Sequence, residues 1–381
     1  MTNSLLSGIR ILDLTRLLPG PFCTLYLAQL GAEVIKVEEP QGGDYARSLS
    51  PELFTLVNRG KKSVALDLRK PEAVATFKKM VEGADVVIES FRPGVMDRLG
   101  CSYEVLKALN PRLVYAALTG YGQTGPYKDR AGHDMNYCGY AGVLDQTGVS
   151  GGAPALSNVQ MADLAGGALT CAVGILAAVI GARASGAGTQ VDVSMLDGTL
   201  ALQVMALATM RTLGHAQARG DDMLTGGLPN YSVYACADGK YVAMAALEPK
   251  FFLNFCAAVE RPDLSRMPLA PGAGGAALRA ELSSLFMTKS RDEWERLLGD
   301  KDCCVSAIYT PDEALANVQL QARGMVESSA GKPVLGMPIR FSAASISGGD
   351  SPALGADTHA VLRAAGVSDA ELAALASARA I

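Results

Sequence analysis

The chain has 381 residues, of which 49% are hydrophobic and 19% charged, with a net charge of −4. This composition is typical of a folded protein with a sizeable core and excludes a disordered chain. The pI near 5.6, without a basic stripe, argues against nucleic acid as a partner.

Short apolar runs alternate with helical patterns over the first 125 residues. The predicted strands are residues 8–14, 33–37, 63–68, 85–89 and 113–118, and the intervening helices include 21–30 and 71–82. This alternation predicts a parallel sheet wrapped by helices, an α/β domain of the Rossmann-like, doubly wound type. A further strand at 190–194 extends the pattern. The large domain is therefore predicted to occupy residues 1–215.

A second, smaller α+β domain is predicted for residues 216–325. It begins with a linker or exposed loop at 216–230 that is rich in Gly, Asp and Asn. Strands at 231–235 and 241–245 flank Asp238-Gly239, a pair that favours a hairpin turn. Helical patterns follow at 250–259, 277–288 and 291–298. The remaining segment, 326–381, ends in one or two amphipathic helices at 360–381.

One stretch meets the length rule for a membrane span. Residues 164–182 carry no charge. They consist largely of Ala and Gly, with few Leu or Phe, and an acidic residue precedes them, so we predict a buried core helix and no membrane span.

The eight cysteines contain no C-x-x-C pair, which indicates neither a zinc site nor a disulfide framework. The N-terminus lacks the basic region and apolar stretch of a signal peptide, and the C-terminal dipeptide is not a peroxisomal address. We therefore predict a cytoplasmic protein.

Residues 120–125 match the pattern G-x-G-x-x-G after a predicted strand. In a dinucleotide site this pattern opens a helix whose N-terminus holds the pyrophosphate. Here a proline turn and a charged loop follow, and the first strand has no such glycines. We interpret 120–125 as a glycine-rich loop beside a substrate.

Three ionisable residues stand in short motifs: His133 in 132–137, Asp163 in 161–167 and Glu248 in 246–249. A lone histidine is more often structural, although its near-neutral pKa suits proton transfer. Asp163 starts a helix, a position that aspartate also favours for structural reasons. Glu248 interrupts an apolar run, where a charge is costly unless it is paired.

Together these motifs resemble the family III CoA-transferase/racemase group (CaiB/BaiF-like), and within it the α-methylacyl-CoA racemases. The resemblance extends from Gly8 to about Leu315. It implies an interlocked homodimer, a C-terminal segment that returns to the large domain, and an acyl-CoA thioester as substrate. No metal or redox cofactor is implied, because CoA is part of the substrate.

The resemblance implies one of two reactions. A racemase inverts C2 of a 2-methylacyl-CoA with a base on each face of a planar enolate: His133 oriented by Glu248 on one side and Asp163 on the other. Backbone amides near Asp163 would hold the enolate oxygen. A CoA-transferase would instead use Asp163 as the nucleophile that forms an acyl anhydride. The histidine and Glu248 favour the racemase, and a non-catalytic CoA-binding module would need none of the three groups.

Several residues are predicted to bind the substrate. Cations beside strands are natural ligands for the phosphates of CoA, although charge runs usually face water. The predicted phosphate ligands are Arg59, Lys62 and Arg92. In related racemases the stretch Leu66, Asp67, Leu68 and Arg69 lines the CoA channel. The motif around His133 adds Gly132, Asp134, Met135, Asn136 and Tyr137. Relatives often carry a basic residue where this chain has Glu39, and residues 202–210 and 223–228 are predicted to shape the acyl pocket.

Overall fold

The computed structural model describes residues 4–342 and 348–381. The chain divides into two compact units. Unit 1 contains Met1–Ala141, Asn158–Leu202 and Gly324–Ile381, and unit 2 contains Gly142–Ser157 and Gln203–Arg323. Relative to the predicted domains, residues 142–157 and 203–215 thus fall in unit 2. Each unit is described by itself.

The strands of both units have the following bounds. In chain order they are β1 (Arg10–Asp13), β2 (Glu33–Glu38), β3 (Lys62–Ala65), β4 (Val86–Glu89), β5 (Val114–Thr119), β6 (Gln190–Ser194), β7 (Tyr231–Ala235), β8 (Tyr241–Ala245), β9 (Val305–Ala307), β10 (Val326–Ser329) and β11 (Lys332–Leu335).

The α-helices, in chain order, are α1 (Pro19–Gln29), α2 (Ala46–Leu49), α3 (Pro51–Val57), α4 (Pro71–Glu82), α5 (Val95–Arg98), α6 (Tyr103–Leu109), α7 (Asp134–Tyr140), α8 (Val143–Gln146), α9 (Thr170–Ser185), α10 (Met195–Ala201), α11 (Val204–Leu213), α12 (Pro249–Ala258), α13 (Ala276–Phe286), α14 (Arg291–Leu298), α15 (Pro311–Leu315), α16 (Val318–Ala322), α17 (Thr358–Ala364) and α18 (Asp369–Ser377). A π-helical segment, Ala162–Leu169, runs directly into α9. A second, Met223–Gly227, is kinked at Gly226, and short 3-10 turns occur at Leu264–Arg266 and Gly272–Gly275.

Unit 1 is built on a six-stranded parallel sheet in the order β3-β2-β1-β4-β5-β6. The inner strands are buried on both faces, so they consist of nearly continuous Val, Ile, Leu and Ala rather than alternating residues. The predicted α/β class with a central parallel sheet is confirmed. The order reverses between β1 and β4, and in open sheets of this kind ligands bind beyond the carboxyl ends of the strands at that point.

Unit 2 contains the antiparallel sheet β7-β8-β9. The Asp238-Gly239 turn joins its first two strands as predicted, with Gly239 at a φ of 75° that glycine adopts without strain. The sheet packs with α12, α13 and α14 around a separate apolar core. In that core the Trp294 indole nitrogen donates to the Phe286 carbonyl over 2.8 Å.

The C-terminal segment belongs to unit 1 and covers the edge strand β3. The Ala65 amide donates to the Thr358 hydroxyl over 3.0 Å, and the Ser63 amide donates to the Asp357 carboxylate over 2.9 Å. Beyond β3, the Asp67 amide donates to the Ala380 carbonyl over 2.8 Å. These hydrogen bonds occupy the outer edge of β3, so that edge is not open for pairing with another chain.

The helix Ala162–Ser185 has a mean hydropathy of 2.1 in its most apolar window, of which 39% is buried. Within residues 4–342 and 348–381 it is the one helix long and apolar enough to cross a membrane, a test that a core helix of a soluble protein also passes. The sequence predicted a buried helix, but only one face is buried. Val173 and Ile180 on the other face are 68% and 69% exposed.

Candidate active site

His133 and Asp163 lie on neighbouring elements beyond the end of β5. A loop leads from β5 to α7, and His133 immediately precedes that helix. Asp163 is the second residue of the π-helical segment, which packs against α7. Asp134 joins the two elements, because one carboxylate oxygen accepts hydrogen bonds from the amides of Ala162 (2.7 Å) and Asp163 (3.0 Å). The two predicted bases are therefore brought together within unit 1.

The Asp163 carboxyl has an altered proton affinity. Burial and, to a lesser extent, the negative charge of Asp134 raise the pKa of Asp163 to about 6, although His133 opposes both effects. A carboxyl that titrates near neutrality can both accept and donate a proton under physiological conditions.

The loop before His133 is fixed by tight packing around two glycines. The Tyr137 hydroxyl donates to the Gly132 carbonyl over 2.6 Å, and the His133 amide donates to the Asn136 side-chain oxygen over 3.0 Å. A β-carbon at Gly132 would lie 2.7 Å from the Tyr121 hydroxyl, and one at Gly120 would lie 2.4 Å from the Tyr137 hydroxyl. Both positions therefore need glycine, and the imidazole is carried on a rigid turn. Met135, the next motif residue, is exposed.

The backbone amides at the start of the Asp163 helix are already occupied. Those of Ala162 and Asp163 donate to Asp134, and that of Leu164 donates to the Gln160 carbonyl over 2.9 Å. The expectation that amides at this helix start hold the enolate oxygen is therefore wrong. In the described part of the chain, the amides of Asp134 and Met135 beside His133 donate no hydrogen bond.

Glu248 lies in unit 2, immediately before α12, and is exposed in this chain. Because its carboxylate is exposed, Glu248 needs no partner to offset a cost of burial, contrary to the expectation from the sequence. Its pairing with His133 would join residues of different units and stays a prediction.

The predicted phosphate ligands do not form one cluster. Arg92 is exposed and follows the carboxyl end of β4, whereas Lys62 begins β3 at the amino edge of the sheet, with its ammonium 2.6 Å from Glu33. Arg59 is 5% exposed and donates to the Leu335 carbonyl over 2.6 Å, so its guanidinium holds the β10–β11 hairpin. Of the three cations, Arg92 has the placement that a ligand at the carboxyl edge needs.

The stretch 66–69 is only partly accessible. Leu66 is 2% exposed within the apolar core, and Leu68 packs against that core. Asp67 accepts a hydrogen bond over 2.7 Å from Arg69, whose guanidinium also contacts Glu39 at 2.8 Å. The side chain of Leu66 therefore cannot line a channel, and Glu39 balances the charge of Arg69.

Arg16, which was not predicted to be a site residue, lies at the point where the strand order reverses. It follows β1, and its amide donates to the Ser90 hydroxyl after β4 over 3.4 Å. Its guanidinium lies 4.9 Å from the Tyr45 ring centre and 5.2 Å from that of Phe91. The signal in the sequence is a cation shortly after the first strand of a parallel sheet, where ligands commonly bind.

A buried charged network includes Lys61, which stands in the sequence directly before the predicted ligand Lys62. The Lys61 ammonium lies 3.3 Å from the Asp13 carboxylate and donates to the Thr24 hydroxyl over 2.7 Å. Burial alone would raise the pKa of Asp13, but Lys61 and Lys36 hold it at about 2. Burial lowers the pKa of Lys61 to about 8, although Asp13 opposes this. Lys61 therefore stabilises the fold and is inaccessible to a ligand.

Unit 2 contains a cavity of about 760 Å³. Apolar side chains line it, including Leu224 from the loop predicted to shape the acyl pocket, whereas no residue of the stretch 202–210 does so. Arg279 also lines the cavity and donates to the Gly226 carbonyl over 2.7 Å and the Ser232 hydroxyl over 2.8 Å, which fixes the loop. In the described residues no group of three or more His, Cys, Asp or Glu side chains could hold a metal ion.

Comparison with known proteins identifies the family. The model of CoA-transferase family III matches residues 6–358. The chain belongs to this family. Family III members are enzymes, and a crystal structure of a CAIB/BAIF family protein from Brucella suis matches this fold with a TM-score of 0.84 at 31% identity, covering 95% of this chain and 100% of the other.

Family III relatives with different reactions are similar to this chain. The alpha-methylacyl-CoA racemase of Homo sapiens is 36% identical over 84% of this chain and 81% of its own. The acetyl-CoA:oxalate CoA-transferase of Acetobacter aceti is 35% identical over 88% of each chain. These identities differ too little to assign one of the two family III reactions by likeness alone.

Proposed function

We propose that the chain is an acyl-CoA racemase or epimerase that inverts C2 of 2-methylacyl-CoA thioesters. The observation that carries this proposal is the juxtaposition of His133 and Asp163, linked by Asp134, where burial and the charge of Asp134 raise the pKa of Asp163 to about 6. Such a pair supplies two groups that can exchange protons near neutral pH. The likeness to alpha-methylacyl-CoA racemases supports the same reaction.

The reaction is a 1,1-proton transfer. One base removes the proton from C2, the C2–H electron pair moves into the thioester to give an enolate, and the other group delivers a proton to the opposite face. The base that began ionised ends protonated, and the reverse holds for its partner. The reaction needs no redox partner and no cofactor beyond the CoA of the substrate.

The enolate oxygen needs hydrogen-bond donors. We assign this role to the amides of Asp134 and Met135, because they begin α7 beside His133 and those at the start of the Asp163 helix are occupied. Glu248 is assigned the orientation of His133. Arg92 and Arg16 are assigned to the CoA phosphates, since both follow strands at the carboxyl edge of the sheet.

A homodimer is part of the proposal. The side chains of α11 that are large and apolar are exposed in the single chain, as is one face of α9. Exposed apolar patches of this extent mark interaction surfaces. A second copy of the chain is the occupant that the family resemblance implies, and the cytoplasm stays the predicted compartment.

The second candidate is a CoA-transferase, which the several CoA-transferases among the relatives favour. Asp163 would then attack the thioester carbonyl, form an acyl anhydride and release CoA thiolate. That reaction requires a carboxylic acid as second substrate and gives His133 no proton to transfer at C2.

One experiment separates the two reactions. The enzyme is incubated in deuterated water with each enantiomer of a simple 2-methylacyl-CoA, and deuterium at C2 and the enantiomer ratio are followed by NMR. The proposal expects exchange at C2 and the same final mixture from both enantiomers. Absence of exchange, together with transfer of CoA to an added carboxylate such as oxalate or succinate, would establish the transferase instead.

A further inference from the structure

Asp134 makes contacts that substrate binding does not explain. Its Oδ1 atom accepts two hydrogen bonds, from the amides of Ala162 and Asp163, and its Oδ2 atom accepts a contact from the Cys138 thiol at 3.7 Å. Both carboxylate oxygens are thus used inside the protein. The first amides of a helix have no partner within that helix, so an external carboxylate both satisfies and positions them.

These contacts join a rigid element to the helix that carries Asp163. The start of α7 is fixed by the Tyr137–Gly132 and His133–Asn136 hydrogen bonds. The π-helical segment is fixed farther along by a close approach of glycines, since a β-carbon at Gly198 would lie 1.9 Å from the Gly166 carbonyl oxygen. At its first turn Asp134 is the link to α7.

We propose that Asp134 is a positioning residue that holds the Asp163 carboxyl at a fixed place relative to His133 and sets the charge which that carboxyl experiences. The inference rests on the proposed function, because it assigns Asp163 a proton-transfer role. It also changes the role predicted for Asp134 from the sequence, because its side chain contacts the helix that carries Asp163.

The charges around Asp163 come from two elements. From α7 and the residue before it, Asp134 raises the pKa of Asp163 in addition to burial, and His133 opposes them. Tyr137 and Cys138 also face this carboxyl and remain neutral, because burial raises the pKa of each. Removing the charge of Asp134 should therefore make Asp163 more acidic.

Two substitutions separate position from charge. Asp134→Asn retains an oxygen that can accept from both amides but removes the negative charge. The acid limb of the kcat/KM profile should move to lower pH by roughly one pH unit, with KM within about twofold. Asp134→Ala also leaves the amides of Ala162 and Asp163 without an acceptor, so kcat should fall by at least about tenfold. Asp129→Asn, an exposed carboxylate of the loop before α7, is the matched control and should leave kcat and the profile unchanged.

A direct titration makes the test independent of the reaction. The enzyme is labelled with aspartate carrying 13C at the side-chain carboxyl, and the Asp163 signal is identified as the one absent from Asp163→Asn. The proposal expects this signal to titrate at lower pH in Asp134→Asn than in the wild type. It is overturned if the Asp163 signal titrates at the same pH in both, or if Asp134→Ala retains wild-type kcat and profile. If the wild type exchanges no proton at C2, the proposed function fails while the titration still decides the role of Asp134.

Discussion

His133 and Asp163 lie on neighbouring elements, and the proposed reaction needs both of them. In the proposed reaction each of them transfers a proton on one face of a planar enolate, so neither replaces the other. The raised pKa of Asp163 follows from burial and from the neighbouring carboxylate of Asp134, and pKa shifts of this kind are frequent at functional sites.

Removal of either base should abolish racemisation. His133→Ala and Asp163→Ala are each expected to lower kcat by several orders of magnitude and to leave the affinity for the CoA ester largely intact, because neither base replaces the other. Exchange at C2 and equilibrium binding of the substrate would measure the two effects. His215→Ala, which removes an exposed histidine, is the matched control. Near-normal turnover in either variant would exclude the assignment.

Glu248 should act through His133. A carboxylate beside an imidazolium favours its protonated form, so Glu248→Gln should move the acid limb of the pH–rate profile to lower pH. The fall in kcat should be smaller than in His133→Ala. A profile and rate equal to those of the wild type, with Glu260→Gln as the surface control, would show that Glu248 only begins α12.

The sequence predicted His133 and Asp163, which lie on neighbouring elements, but not what each carboxylate and cation contacts. The motif around His133 could be recognised because glycine, histidine and tyrosine are contiguous there. The sequence did not show that Lys61 and Leu66 are buried. Their exposure depends on how the segments before and after β3 pack in the folded chain. The same holds for Asp134, whose partners lie 28 and 29 residues further along the chain.

At the scale of elements, strands were predictable because burial on both faces makes them short, continuous apolar runs. The hairpin of unit 2 was predictable from Asp238-Gly239. The π-helical start of the Asp163 helix was not predictable, since the close approach of Gly166 and Gly198 that accompanies it leaves no periodic pattern in the sequence. Such segments occur frequently at functional sites.

A cation at the carboxyl ends of the strands and one at the amino ends should contribute differently to CoA binding. The sequence predicted both Lys62 and Arg92 as phosphate ligands, but only Arg92 follows a strand at the carboxyl edge. Arg92→Ala should weaken CoA binding by roughly tenfold to a hundredfold, because it removes a charge-assisted contact. Lys62→Ala should bind CoA like the wild type.

Calorimetry with CoA and with 3′-dephospho-CoA tests this difference and identifies the phosphate. If Arg92 binds the 3′-phosphate, its substitution should have little effect on the dephospho form. Equal binding of CoA by Arg92→Ala and the wild type would place the phosphates elsewhere.

The buried Asp13–Lys61 ion pair should have a large effect on the free energy of unfolding. Asp13→Asn leaves a buried cation without its partner and should reduce the free energy of unfolding by about 3–5 kcal/mol. The double variant Asp13→Asn, Lys61→Met should recover most of the loss. Urea unfolding gives both values, and equal stability of the single and double variants would contradict the coupling.

The contribution of Asp13 to the free energy of unfolding should depend on pH. The pKa of Asp13 is about 2 in the folded protein and 3.8 ordinarily. The folded state therefore binds fewer protons than the unfolded chain between these values, so the contribution is full above about pH 4 and is lost as the pH falls toward 2. Asp13→Asn should lack this loss.

At the scale of the whole molecule, the exposed apolar side chains predict self-association. Sedimentation velocity should show a dimer for the wild type, and Leu207→Glu on α11 should shift it toward monomer, because a charge would be buried at the interface. Val318→Glu, at a side chain that is 82% exposed on α16, is the matched control. A monomeric wild type at micromolar concentration would contradict the prediction.

The cover of strand β3 by the C-terminal segment has a consequence during protein synthesis. Unit 1 needs residues from both sides of unit 2, down to the Ala380 carbonyl that accepts from Asp67. While the ribosome is still translating unit 2, the N-terminal strands are already made but their edge is bare. The edge of β3 therefore stays unpaired until residues 358–380 emerge from the ribosome. During this interval a chaperone that binds exposed strand edges would give the most protection against aggregation.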